Sequence, residues 1–234
     1  MKIALLGYGK MGHAVEQLAV ARGHDIVLKV TGKSKGYDIQ QADVAIDFSV
    51  PAAAYNNISN CLNHGVAVVS GTTGWLKDYD SIISLCQERD GAFIYASNFS
   101  LGVNVFFELN KQLAKMMADL SQYKVGIKEI HHSRKQDAPS GTAISLAEGI
   151  IEHSYYNDWK LSDHPADHII PIKAHRVDDI PGTHIINYES DIDTIQISHE
   201  AFGREGFALG AVIAAEWIKG KSGVFTMKDV LNIG

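Results

Sequence analysis

The densest chemistry in the chain is the run Glu129-Ile130-His131-His132-Ser133-Arg134-Lys135-Gln136-Asp137-Ala138-Pro139-Ser140-Gly141-Thr142. Four side chains able to carry positive charge, His131, His132, Arg134 and Lys135, fall within five positions. A packed core does not absorb such a cluster, because burying an unpaired cation costs several kcal/mol. The segment is therefore either a solvated loop or a site for an anionic ligand. Pro139-Ser140-Gly141-Thr142 leads into a helical run over residues 143–151, with Ser140 as a natural N-cap. The amides at such a helix start are placed to receive a carboxylate. Histidine and lysine at this spacing supply general acid/base chemistry. A metal is not expected, since adjacent histidines point to opposite faces of a strand and no Cys/His/carboxylate spacing completes a shell.

A second chemical feature is Gly7-Tyr8-Gly9-Lys10-Met11-Gly12, between an apolar strand and an amphipathic helix. In that context one glycine makes the tight turn, the second lets backbone approach a pyrophosphate, and the third lets the helix pack on the strand. The reading is nucleotide binding at the positive end of a helix. Roughly 20 positions further on, where an acidic residue usually grips the ribose hydroxyls of NAD, stands the neutral Thr31, followed by Lys33 and Lys35. That pattern favours a 2′-phosphate and hence NADPH; the alternative is a solvated lysine loop. Two more strand ends carry Gly71-Thr72-Thr73-Gly74 and Ala96-Ser97-Asn98-Phe99-Ser100. Ligands of open parallel sheets bind outside the carboxyl ends of the strands, so these residues could hold the nicotinamide end, though Gly, Thr, Asn and Ser also form turns.

The elements that must position these groups follow from periodicity. Short apolar runs at residues 3–6, 26–30, 44–48, 66–70 and 93–96 alternate with amphipathic stretches, the rhythm of βαβ units and a parallel sheet. Beyond Ser100 the rhythm changes. A long helix is expected over residues 103–120, with Phe106, Phe107, Leu109, Leu113, Met116 and Met117 as its core face. A strand over residues 123–130 alternates apolar positions with Lys124 and Lys128, implying a sheet with one wet face. Further strands are expected near residues 169–174, 184–188 and 194–199 with no helices between them, so this part reads as α+β. A helix over 208–219 and a short tail over 220–232, able to fold back on the first domain, complete the chain.

Bulk properties narrow the function. The 234 residues are 46% hydrophobic and 21% charged, an ordinary globular composition. A net charge of −6 without a basic run gives nucleic acid little to bind. No cleavable signal and no apolar stretch near the length of a membrane span is present, which points to the cytoplasm and away from membranes. Cys61 and Cys86 lack C-x-x-C spacing and read as buried free thiols.

Residues 129–142, together with the glycine loop, the 71–74 and 97–104 segments and the Gly210-Ala211-Val212 helix, resemble the dihydrodipicolinate (4-hydroxy-tetrahydrodipicolinate) reductases of lysine and diaminopimelate synthesis, in the family's order and over essentially the whole chain. The resemblance implies an α/β chain. Its dinucleotide-binding, Rossmann-type doubly wound parallel sheet would span 1–100, a central α+β substrate-binding and tetramerisation domain 101–204, and a C-terminal segment, 205–234, would return to the first domain. It implies NADPH and/or NADH as cofactor, a small-molecule dicarboxylate as substrate, and a homotetramer. By position, His131 matches the family's acid/base histidine and Lys135 its proton-donating lysine. His132, Gly141 and Thr142 match substrate-carboxylate contacts, with Ser140 beside them. Gly7 to Gly12, Gly71 to Thr73 and Ala96 to Phe99 match cofactor contacts, and Thr31 and Lys33 stand at the coenzyme-selecting position. The alternatives are another NAD(P)-dependent amino-acid-pathway dehydrogenase, which would need a different acid/base set, and a nucleotide sensor, which would lack a proton donor such as Lys135.

Overall fold

The computed structural model describes residues 1–34, 36–164 and 166–234. The chain divides into two units, Met1–Asn104 with Arg204–Gly234, and Val105–Gly203. No helix among the described residues is long and apolar enough to cross a membrane.

In the first unit the apolar runs become parallel strands β1 (Lys2–Leu6), β2 (Asp25–Val30), β3 (Val44–Asp47), β4 (Ala67–Ser70) and β5 (Ala92–Tyr95), joined by β11 (Gly223–Phe225). Their order is β11-β5-β4-β3-β1-β2. Both faces are covered, which is why the strands read as nearly continuous apolar runs. Ile3, Leu5, Ile46, Val69 and Ile94 pack on α1 (Lys10–Ala21) and α6 (Glu205–Ile218) through Val15, Ala19, Ala211 and Val212. Alternate residues Ala4, Leu6, Ala45, Val68 and Phe93 pack on α2 (Pro51–Asn63) and α3 (Tyr79–Glu88) through Ile58, Cys61, Ile82 and Cys86. Both cysteines are buried and free. Strand β11 lies beside β5, and α7 (Met227–Leu231) follows it. With β2 on one side of β1 and β3 on the other, the strand order reverses at β1, creating the crevice in which doubly wound folds bind ligands.

The second unit holds a mixed sheet of β6 (Lys124–His131), β7 (Asp158–Leu161), β8 (Ile169–Arg176), β9 (Gly182–Glu189) and β10 (Thr194–Ala201), in the order β10-β9-β6-β8-β7. Strand β6 runs antiparallel to β9 and parallel to β8. On one face Val125, Ile127, Ile172 and Ile186 pack against α4 (Leu101–Met117) and α5 (Gly141–Ile151) through Phe106, Met117, Leu146 and Ile150. Val125, Ile127, Glu129 and His131 are all buried along β6, with more accessible residues alternating between them.

The chain departs from the sequence expectation in α4 and at β7, and the expected tail contributes the short strand β11. Leu109 and Met116 are exposed, by 48% and 72%, so the core face of α4 is narrower than its apolar content suggests. Strand β7 has no counterpart among the expected strands. Asp158, Lys160 and Leu161 are exposed and the strand lies at the sheet edge, where one neighbour supplies the pairing without an apolar signature.

Candidate active site

In the first unit, the loops after β1, β2, β4 and β5 all leave the carboxyl ends of strands in one parallel sheet. Gly7 adopts φ +94°, and a Cβ there would stand 2.1 Å from Phe48 O. A Cβ on Gly12 would meet Gly7 O at 2.5 Å, whereas one on Gly9 would have nothing within 4 Å. The outer two glycines thus close the turn, and Gly9 leaves open space at the start of α1. No side chain caps that helix and no acid stands in its first turn, so the amides of Lys10, Met11 and Gly12 are ready for phosphate. Met11 packs against the core and Lys10 is exposed. Tyr8 donates its hydroxyl proton to Glu16, which also holds Lys29 at 2.5 Å.

Thr31 is exposed and forms a tight turn. Its amide donates to Ser34 Oγ at 3.0 Å, and its Oγ1 accepts from the Lys33 amide at 3.3 Å. Lys33 is exposed, with no ion pair among the described residues; Lys35 lies outside them. Thr72 is turned inward. Its hydroxyl donates to Asp47 Oδ2 at 2.7 Å and accepts from the Ser49 amide at 2.8 Å, inside a network with Ser70 and Asn57 around the buried carboxylate. Burial pushes the Asp47 pKa upward against those hydrogen bonds. The Thr72 side chain therefore shapes the loop, and any contact to a ligand there falls to the backbone of Gly71 and to the exposed Thr73. Ala96 is half-buried and Ser97 exposed, while Asn98 accepts from the Ser100 amide through Oδ1 at 2.9 Å. Phe99 is 1% exposed, its ring edge-on to Phe48 at 6.0 Å, so it presents only backbone.

In the second unit the functional run begins at the end of β6, and its centre is a residue that sequence reasoning does not single out. Glu129 is fully buried. Its Oε1 accepts from Arg176 Nη2 at 2.9 Å, and its Oε2 accepts from the Ser140 amide at 3.1 Å. His131 Nδ1 lies 3.4 Å from the same Oε2, an ion-pair distance without hydrogen-bond geometry, and His184 Nε2 lies 3.7 Å from it. Burial disfavours the Glu129 charge, but the Ser140 and Arg176 hydrogen bonds outweigh it and hold the pKa below the usual carboxylate value. Burial depresses the His131 pKa, opposed by the Glu129 charge. His184 is pushed down to about 4, by burial first and then by His131. Donor atoms of Glu129, His131 and His184 lie within 4.8 Å of one another, a metal-sized grouping that linear spacing hid. Here the Arg176 guanidinium and the Ser140 amide already match the carboxylate.

Ser140 caps α5 through the Ala143 amide at 3.2 Å and meets His184 Nε2 at 3.1 Å, so its hydroxyl is engaged inside the protein. Gly141 and Thr142 begin the helix, Gly141 exposed and Thr142 half-buried. Lys135 Nζ donates to both Asp137 oxygens at 2.8 Å, lowering the Asp137 pKa. His132 is half-buried, with a buried Nδ1 that has no hydrogen-bond partner among the described residues.

A doubly wound sheet with a glycine loop at its switch point, joined to a unit rich in acid/base groups, defines an NAD(P)H-dependent oxidoreductase. The families described as Dihydrodipicolinate reductase, N-terminus and C-terminus, match residues 1–99 and 102–231, and the chain belongs to the dihydrodipicolinate reductase family. A 4-hydroxy-tetrahydrodipicolinate reductase of Christiangramia forsetii is 56% identical over 99% of this chain and 98% of its own. One from Methanoculleus marisnigri is 36% identical over 83% of this chain and 77% of its own. Among solved structures, a dipicolinate-bound dihydrodipicolinate reductase from Paenisporosarcina sp. TG-14 shares the fold at a TM-score of 0.77 and 20% identity, covering 97% of each chain.

Proposed function

We propose that this chain reduces 4-hydroxy-tetrahydrodipicolinate to tetrahydrodipicolinate in diaminopimelate and lysine synthesis. The observation that carries the reading is full-length, 56% identity to a reductase of that name. The first unit is the dinucleotide-binding domain and the second the substrate-binding and tetramerisation domain. NADPH or NADH, held by the glycine loop and the 71–73 and 96–99 loops, supplies the hydride. The balance is one hydride to a ring carbon, one proton to the departing hydroxyl, and one water released. Lys135 supplies the proton, His131 is the second acid/base group, and His132, Gly141 and Thr142 receive carboxylate. The unpartnered His132 Nδ1 and the exposed start of α5 support that assignment. A planar dicarboxylate such as dipicolinate, bound in the Paenisporosarcina relative, belongs to the same ligand class. The sheet face opposite α4 and α5, with Lys128, Ile130 and Ile185, would meet other copies in a cytoplasmic homotetramer.

The test is to condense aspartate semialdehyde with pyruvate enzymatically, add the protein, and follow NADPH and NADH absorbance separately. Oxidation of either coenzyme is expected, and oxidation of neither overturns the assignment. Lys135→Ala should lower kcat by about 10²–10⁴-fold, the range of general acid catalysis, with coenzyme binding retained. A variant within threefold of wild type removes the lysine from the chemistry.

A further inference from the structure

Arg176 ends β8 and pairs in register with His131 on β6. Its guanidinium faces three groups of the candidate site. Nη2 donates to the buried Glu129 carboxylate at 2.9 Å and to the Asp137 carbonyl at 2.5 Å, and Nε donates to the Lys135 carbonyl at 3.3 Å. Nη1 is satisfied by the carbonyl of His175 at 2.8 Å. One planar fork therefore joins a fully buried charge to the main chain on both sides of Gln136. The loop that follows β6 needs such an anchor. Its far end is held where the Ser140 amide donates to Glu129 Oε2 at 3.1 Å, but around Lys135 its own polar contacts are short-range, from the Lys135 amide to His132 O at 3.1 Å and from Lys135 Nζ to Asp137 at 2.8 Å. Neither ties it to the sheet. Ser133 does reach Asp178, beyond β8, but at the start of the loop and away from Lys135.

We propose that Arg176 is a positioning residue, a clasp that fixes the Lys135 main chain to the Glu129 carboxylate near the end of β6 and so delivers the Lys135 ammonium to one place. The inference rests on reading Lys135 as the proton donor. A guanidinium suits the task and an ammonium does not, because only the fork can serve a carboxylate and two carbonyls at fixed angles. Lysine in its place keeps the charge beside Glu129 but releases the loop. Misplacing a catalytic group by about 1 Å can cost on the order of a hundredfold in rate, so the clasp acts on turnover rather than on coenzyme binding.

The experiment is a cycle of Arg176→Lys, Lys135→Ala and the double variant, with kcat and the KM for coenzyme measured for each. Arg176→Lys is expected to lower kcat by about tenfold with the coenzyme KM unchanged, and to have no further effect once Lys135 is alanine, since a clasp that acts through Lys135 has nothing left to position. Equal losses in both backgrounds, or an unchanged kcat in Arg176→Lys, overturns the clasp. Near-wild-type activity of Lys135→Ala overturns the proton-donor reading by itself, a separate outcome. Should Arg176→Lys fail to fold, Arg176→Gln combined with Glu129→Gln leaves no unpaired buried charge and is carried through the same cycle. A loss that vanishes in the Lys135→Ala background again supports the clasp, and a loss equal in both backgrounds again overturns it.

Discussion

Gly182, the first residue of β9, leaves the Nε2 edge of His131 room for a hydrogen and little more: a Cβ there would stand 3.0 Å from Nε2 and 3.2 Å from Cδ2. On its other side the imidazole is bounded by Glu129 at 3.4 Å and by the His184 ring, 5.0 Å away between centroids. The ring cannot yield without disturbing one of them. Gly182→Ala, allowed by the backbone, should therefore lower kcat by about tenfold, in keeping with the sensitivity of turnover to small displacements. The KM for NADPH should not change, because the coenzyme loops belong to the other unit. Steady-state kinetics beside a thermal melt would test it, and an unaltered kcat in a folded variant would show that His131 tolerates the shift.

The start of α5 offers a cleaner probe of substrate binding. A Cβ on Gly141 would have nothing within 4 Å, and the first turn holds no acid. A carboxylate at this position is therefore sterically free and favourable to the helix, by about 0.3–1 kcal/mol for an exposed group near an N-terminus. It also occupies the place proposed for the substrate's own carboxylate. Gly141→Asp should thus leave the melting temperature equal or higher while raising substrate KM severalfold. Stability and affinity moving in opposite directions would separate a blocked site from a damaged fold, and an unchanged KM would place the substrate elsewhere.

How far the site is legible in the sequence depends on sequence separation. The glycine loop and the run from Glu129 to Thr142 are contiguous, so residue types alone expose them. Arg176 and His184 reach Glu129 only because β8 and β9 flank β6, a pairing no local pattern encodes. One signal is available. Glu129 shares the parity of Val125 and Ile127, the buried positions of β6, and a carboxylate at buried parity needs a partner. The Thr72 hydroxyl, expected at the cofactor, bonds to Asp47 because that carboxylate is wholly buried and must be satisfied. The fold is easier to read: burial on both faces of β1, β3 and β4 writes apolar runs into the sequence, whereas the exposed edge strand β7 leaves no such mark.

The loop after β2 is the place proposed to select the coenzyme. Lys29 is already held by Glu16 at 2.5 Å, which leaves Lys33 as an exposed ammonium beside the neutral Thr31 turn. NADPH should be used at least as well as NADH, and Lys33→Glu with Lys35→Glu should shift preference toward NADH. The expected change in the ratio of kcat/KM values is several-fold, because exposed charge contacts are weak. Added salt should weaken NADPH binding more than NADH binding. A ratio that stays fixed in the double variant would assign coenzyme choice to other residues.

Buried His184 gives the molecule a pH dependence of stability whose sign follows from its displaced pKa. The unfolded chain protonates this histidine near 6.5, the folded protein only at about 4. Between those values the unfolded state binds more protons, so stability is full above about pH 6.5, falls as pH drops toward 4, and levels off below. A displacement of that size corresponds to at most about 3 kcal/mol, shared with His131, whose pKa moves in the same direction. The charges that face His184 are Glu129, which favours its protonation, and His131, His199 and Lys135, which oppose it. His184→Gln keeps a polar group near Ser140 Oγ, now 3.1 Å from Nε2, but cannot take up the proton. Urea midpoints measured from pH 4 to 8 should therefore fall less steeply toward acid in the variant than in wild type. Parallel curves would mean that His184 accepts a proton in the folded state without penalty, and that the acid sensitivity belongs to other groups.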